Sequence, residues 1–297
     1  MNGVNELMGS LSILERMLVF VVLAPLAGGV LAGVDRKLSA RLQGRFGPPV
    51  LQPFFDVFKL LRKERIIVNK FQDFPIILFL VFTIFAGALF FAGTDLLLTI
   101  FSLALAGTFF ILGGFCVGSP FSHLGAQREL IQMVAYEPMV ILTAVGMYQV
   151  TGSFKVSEIA NFQGPLVLWL PGVFAGFLYI LTIKFRKSPF DLSMSHHAHQ
   201  EIVRGITTEF SGPGLALIEI THWYENVLLL GMVYLFFAFN PWLALAMALA
   251  TYAFEILIDM NYARFKWQLT FFSSWLFTAV AGVSNIIVLS LLRQYGG

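Results

Sequence analysis

Cysteine is almost missing from this chain: one residue, Cys116, stands in an apolar run among 297. A single thiol excludes an internal disulfide and the sets of thiolates that hold iron–sulfur clusters. In such a run it reads as a small, inert packing residue. Charge is scarce as well, with Asp, Glu, Lys and Arg making up 12% of the sequence. Neither a Walker phosphate loop nor a glycine-rich dinucleotide turn is present. No cofactor or metal is therefore expected in this chain, and any redox centre belongs to a partner. The first residues lack the short apolar core and small-residue cleavage site of a signal peptide, so no processed segment is expected. Nor is a nucleic-acid partner.

What the chain has in excess is apolar surface. It is 58% hydrophobic with a mean hydropathy of +0.80, more than a water-soluble core can absorb, which asks for a lipid bilayer as solvent. A crossing helix needs about 20 mostly apolar residues. Eight stretches qualify, at roughly 12–34, 74–92, 95–117, 131–151, 165–183, 213–238, 241–261 and 269–292. The expected fold is all-α, a polytopic membrane protein of about eight transmembrane helices in one domain, residues 1–297. Gly93 and Thr94 alone separate the second and third stretches, and Phe239 and Asn240 the sixth and seventh, so each pair reads as a tight hairpin.

Orientation follows from the basic residues, which gather on the cytoplasmic side. Of the 19 Lys and Arg, 16 fall in loops on one face; Arg16, Lys155 and Arg293 do not. Eight spans in the cell membrane with both termini outside satisfy the rule. The long loops 35–73 and 184–212 are then cytoplasmic.

The first of these loops turns at Gly47-Pro48-Pro49. After the turn, Val50, Leu51, Phe54, Phe55, Val57, Phe58, Leu60 and Leu61 recur near helical spacing opposite Asp56, Lys59, Arg62, Lys63 and Glu64. That pattern predicts an amphipathic helix at the membrane surface. A lipid-headgroup anchor is the plainer reading. The basic residues before a proline-fixed bend, in a loop of this length, favour partner docking. The docking set is Arg36, Arg41, Arg45, Asp56, Lys59 and Lys63, with Arg128 in the loop 118–130.

Ionisable residues within spans are the strongest functional signal, because each costs on the order of 3 kcal/mol at membrane depth unless it meets polar partners. Glu137 lies inside the fourth span, with Glu129, Gln132 and Tyr136 sharing one helix face before it. Glu219, His222 and Glu225 follow at i, i+3 and i+6 in the sixth span, and Glu255 and Asp259 at i, i+4 in the seventh. Together with Glu209 they read as a chain of protonatable sites, an ion relay whose members titrate together. Between Lys184 and Glu225 lie four of the five histidines and five of the seventeen carboxylates. Asp191, His196, His197, His199 and Glu201 are placed there as the cytoplasmic mouth of the path. The neighbouring histidines also invite a metal reading, which no second cysteine or spaced carboxylate pair supports.

These motifs, in order, resemble those of a known family. Arg41, Gln43, Arg45, Gly47 and Pro48 are followed by Leu51, Gln52, Pro53, Asp56, Lys59, Leu60, Lys63 and Glu64. Then come Arg128, Gln132, Tyr136 and Glu137, and Gly152-Ser153-Phe154. Last come Pro189-Phe190-Asp191, Glu201 to Val203, Gly205 and Glu209 to Gly212. The pattern is similar to that of the membrane subunit shared by respiratory complex I, where it forms the quinone cavity, and the related membrane-bound nickel–iron hydrogenases and formate hydrogenlyase. Two departures favour the energy-converting (Ech-type) hydrogenase branch. No long insert follows Pro48-Pro49, and SMSHHAHQE stands at Ser193 to Glu201 where complex I versions carry an acidic string. His222 stands where the family has a glutamate.

The resemblance implies a subunit of an oxidoreductase complex that oxidises reduced ferredoxin, evolves or takes up hydrogen and moves protons or sodium ions. Its implied partners are the hydrogenase large and small subunits, an iron–sulfur ferredoxin-like subunit and an antiporter-like membrane subunit. The nickel–iron centre and the iron–sulfur clusters would sit in those partners. A quinone-cavity subunit of a complex I-like NADH:quinone oxidoreductase is the alternative. A stand-alone transporter fits less well, since the chain shows no evident internal repeat.

Overall fold

The structure, a computed structural model, describes residues 12–66, 69–190 and 204–295. Within them the chain is all-α with no strand, and Asp95 and Lys155 form an isolated β-bridge. Helix α1, Ile13–Leu42, opens on a capping box in which the Ser12 hydroxyl and the Glu15 carboxylate each accept the other's backbone N–H. It runs well past its apolar part, so Asp35, Arg36 and Arg41 are helical, not loop. Helix α2, Gln52–Leu61, is the expected surface helix, started by Pro53.

Helices α3, Asp73–Phe91, and α4, Leu96–Phe115, form the first hairpin. Gly93 takes a positive φ of 82° in its turn, and the Asp95 carboxylate accepts the N–H groups of Leu97 (2.8 Å) and Leu98 (3.1 Å). Helix α5, Pro120–Thr151, is longer than its apolar run, because Pro120 at its first turn starts it where a loop was expected. After the short helices α6, Val156–Ala160, and α7, Leu166–Trp169, come α8, Pro171–Lys184, and α9, Gly212–Leu235. Helix α10, Pro241–Asn261, is capped by Asn240. Helix α11, Trp267–Phe277, passes through a π-helical turn, Thr278–Val283, into α12, Ser284–Tyr295.

Among the described residues, six stretches are long and apolar enough to cross a bilayer: α1, α3, α4, α5, α10 and the run Trp267–Gln294. The other two expected spans are built differently. Residues 165–183 break into α7 and a 14-residue α8, and 213–238 fold as α9, which carries Glu219, His222 and Glu225 among its apolar residues. The loops meet in two sets. At one end the first hairpin turn pairs with the loop after α5, through Leu96 N–H to Phe154 O and Val156 N–H to Thr94 O, both 2.8 Å. At the other end Asn69 donates to Cys116 O (2.8 Å), Gln72 to Glu209 O (3.0 Å) and Ser122 to Ile206 O (3.1 Å).

Helix α9 packs against α1, α2, α3 and α10. Helices in a bilayer associate through close packing, and small residues permit it. The buried Gly28, Gly29 and Gly33 of α1 admit the Trp223 backbone, the Phe54 ring and the Val50 carbonyl. A side chain at position 33 would meet the backbone of Val50, which cannot swing aside. Gly33→Ala is therefore expected to destabilise the protein by about 1–3 kcal/mol, whereas Gly118→Ala, which meets nothing, stays near neutral. Thermal unfolding of the two variants in detergent checks this; equal stability would remove the close-approach role.

A buried charged axis as the candidate functional site

Everything in the site follows from the shortness of α8. Its 14 residues cover about 21 Å, less than the roughly 30 Å of hydrocarbon. Its start is fixed from α12: Asn285 Oδ1 accepts the N–H groups of Gly172 (2.9 Å) and Val173 (3.1 Å), and Asn285 Nδ2 donates to Trp169 O (3.2 Å). These partners satisfy donors that a helix start leaves open. Because α8 begins there and stops early, the basic run Lys184, Arg186 and Lys187 enters the bundle. Lys184 and Lys187 are buried, and Arg186, the one non-glycine residue with positive φ (55°) among the described residues, directs its guanidinium inward.

Arg186 bridges two carboxylates from different helices. One terminal nitrogen donates to Glu225 Oε2 of α9 and the other to Glu129 Oε1 of α5, each at 3.2 Å. Lys184 Nζ lies 3.7 Å from Glu225 Oε1 and 4.0 Å from the centre of the Tyr136 ring. His222 Nδ1 is 3.4 Å from Glu225 Oε2, while its ring meets the edges of Phe79 and Phe110 at 5.6 Å. Nε2 is buried and has no hydrogen-bond partner. Glu225 thus collects three bases, with side-chain exposures of 6% for Glu225 and 2% for Lys184. Glu137, half-buried, feels both Lys184 and Glu225. Pro138 follows it inside α5 and, lacking an N–H, leaves the carbonyl four residues back without its helical donor.

A second group continues the first. Lys187 Nζ donates to Asp35 Oδ2 of α1 (2.5 Å) and lies 3.6 Å from Asp259 Oδ2 of α10, and Asp259 Oδ1 accepts the Ser188 N–H at 2.8 Å. The Tyr252 hydroxyl is shared between Leu31 O (3.4 Å) and Asp35. Glu255, 1% exposed, faces Thr182, with Lys187 and Asp259 nearby; neither of its oxygens is in hydrogen-bonding position. Phe185 packs edge-on against Tyr252 (5.6 Å) between the groups.

The two groups place buried charge on α5, α9, α1 and α10 and are joined along the chain by the run Lys184, Arg186 and Lys187. Arg186 stays protonated under all conditions and sets a fixed field. Around it stand carboxylates, an imidazole and two ammonium groups, all of protonatable types. Moving one proton along such a set changes the energy of the next.

Of the relay residues read from the sequence, the fold brings together His222, Glu225 and Glu137 in one group and Glu255 and Asp259 in the other. Glu219 is half-exposed on α9, and Glu209 sits in the loop before α9, where its carbonyl serves Gln72. Asp191, His196, His197, His199 and Glu201 lie outside the described residues. In the docking set, Arg36 is bonded to Asp56 at 2.6 Å and Asp56 accepts from Gln52 at 2.9 Å, so this pair staples α2 to α1. Arg41 lies over the Phe46 ring at 5.3 Å, and Arg45 donates to Gln43. Arg128 is exposed on α5. Sequence reasoning misses Glu129, Lys184, Arg186, Lys187 and Asp35 as members of the site. Glu129 is signalled by the face it shares with Gln132 and Tyr136. The three cations are hidden because their run reads as an ordinary cytoplasmic loop.

A polytopic bundle with charges buried on several helices is a membrane protein of a definite family. Its relatives say which: the NADH dehydrogenase family profile matches residues 14–290, and the chain belongs to that family. It is 33% identical to hydrogenase-4 component C of Escherichia coli over 69% of this chain and 68% of that one. It is 32% identical to formate hydrogenlyase subunit 4 of the same organism over 77% of each. With a subunit of the NADH-quinone oxidoreductase of Thermomicrobium roseum it shares 28% identity over 96% of this chain and 97% of that one. A chain in the structure of the membrane-bound sulfane sulfur reductase, an archaeal respiratory membrane complex, has the same fold, with a TM-score of 0.80 over 92% of this chain and 99% of that one at 24% identity. This protein is a membrane subunit of a complex I-like oxidoreductase complex.

Proposed function

We propose that this chain is the membrane-anchor and ion-coupling subunit of a ferredoxin-dependent, membrane-bound nickel–iron hydrogenase complex, linking hydrogen evolution or uptake to movement of protons or sodium ions. The observation that carries the coupling role is the pair of buried charge groups, Glu129, Glu137, Arg186 and Glu225 in one and Lys187, Asp35, Asp259 and Glu255 in the other, joined by the run Lys184 to Lys187. Ionisable side chains at membrane depth are rare, pair with one another and mark ion pathways. The hydrogenase assignment rests on the similarity to the hydrogenase-4 and formate hydrogenlyase proteins and on the histidine-bearing segment at 193–201. The nickel–iron centre and iron–sulfur clusters are assigned to hydrogenase large and small subunits and a ferredoxin-like subunit, docked at the basic end of the bundle around Arg41, Arg45 and Arg128. An antiporter-like subunit would adjoin the buried charges within the cell membrane, with both termini outside.

The near full-length match to the NADH-quinone oxidoreductase protein favours a second reading, a quinone-cavity subunit. Purifying the native complex separates the two. Nickel and iron should copurify, and reduced ferredoxin should drive hydrogen evolution together with ion uptake into vesicles. A complex free of nickel that reduces quinone, sensitive to quinone-site inhibitors, would replace the hydrogenase reading with the quinone one.

A further inference from the structure

Helix α2 has one broad apolar face. Its inner part carries Val57 and Phe54 against Trp223 and Ala216 of α9. Phe55 and Phe58 lie on the adjoining flank, 59% and 61% exposed. With Lys59, Arg62 and Lys63 they line an open recess of about 590 Å³, away from the buried charges. Positions 55, 58, 59 and 62 make one helical stripe. Phe54 rests on Gly29 and Val50 on Gly33 along the flank of α1, and the exposed stripe lies beside these contacts on the outside of the bundle. Three cations line the recess and no carboxylate does; the acid within the helix, Asp56, is held by Arg36 and Gln52.

We propose that this recess binds an anionic phospholipid of the adjoining leaflet, its phosphate against Lys59, Arg62 and Lys63 and the upper part of its chains against Phe55 and Phe58. The lining carries both halves of that recognition. Clustered cations at the membrane surface attract anionic headgroups, and aromatic rings settle at the same level. A neutral lipid would match the rings and leave three cations unmatched. An acidic protein surface would match the cations and leave two phenyl rings against polar groups. The site stands apart from the hydrogenase reading and assigns Lys59 and Lys63 to lipid in place of subunit docking.

Native mass spectrometry of the whole complex, incubated with phosphatidylglycerol or with phosphatidylcholine, tests the assignment. The wild type should retain phosphatidylglycerol on this subunit, and Lys59→Gln/Arg62→Gln/Lys63→Gln should retain at least tenfold less. Lys59→Arg/Lys63→Arg should bind as the wild type does, and phosphatidylcholine adducts should not change. The single Gln variants, each altering one exposed side chain, give the same readout in smaller steps should the triple variant fail to assemble. Equal phosphatidylglycerol retention by the wild type and the Gln variants would overturn the proposal. So would release of the hydrophilic subunits with lipid retention intact, which would make the surface a protein dock.

Discussion

Arg186→Met should leave little assembled protein in the membrane. Its guanidinium bonds both Glu129 and Glu225, at 3.2 Å each, from a side chain only 11% exposed. Removing one partner of a buried ion pair costs about 3–5 kcal/mol, because the charge left behind has lost its counter-ion. Here two carboxylates lose a cation at once, while Lys184, 3.7 Å from Glu225, offsets part of the loss at that one, so the total stays within that range. Arg186→Lys keeps the charge but cannot fork between two carboxylates, and it should fall between the wild type and Arg186→Met. The double variant Arg186→Met/Glu129→Gln should recover part of the loss, because one of the two carboxylate charges that faced the guanidinium is gone. Membrane-inserted protein and thermal unfolding in detergent measure the series. A wild-type level for Arg186→Met would show that Arg186 is not the bridge that holds α5 to α9.

The crossing helices are legible in the sequence because each is a continuous apolar run with a plain break. Gly93 and Asp95 end one run and cap the next, and Asn240 with Pro241 do the same in the second hairpin. The polar stretch before Ile131 reads as loop, since hydropathy reports contact with lipid and is silent on a helix that continues beyond it; the same is true of Asp35 to Leu42 at the end of α1. The ionisable residues of α5, α9 and α10 are legible by their helical spacing. Their counter-charges are not. Lys184, Arg186 and Lys187 obey the positive-inside pattern by count, and only the early end of α8, set by Asn285 about a hundred residues later, brings them into the bundle. No local signal in the segment carries that distance.

The same geometry sets the expectation for Glu137. It shares the field of Lys184 and Glu225 but stands outside the ion pairs that lock Glu225 to Arg186 and Lys184, so its proton is the one that can change without breaking the bridge between α5 and α9. Glu137→Gln keeps the shape and most hydrogen-bonding capacity of the side chain while removing its titratable proton. Assembly should therefore be near normal, in contrast to Arg186→Met. Electron transfer through the hydrophilic subunits, measured in detergent with artificial donors, should be retained, whereas ferredoxin-linked ion uptake into vesicles should fall by roughly tenfold or more, about 1.4 kcal/mol per decade. A structural glutamate would behave otherwise, changing assembly or nothing. An assembled Glu137→Gln complex that moves ions at the wild-type ion-to-electron ratio would take Glu137 out of the proposed path.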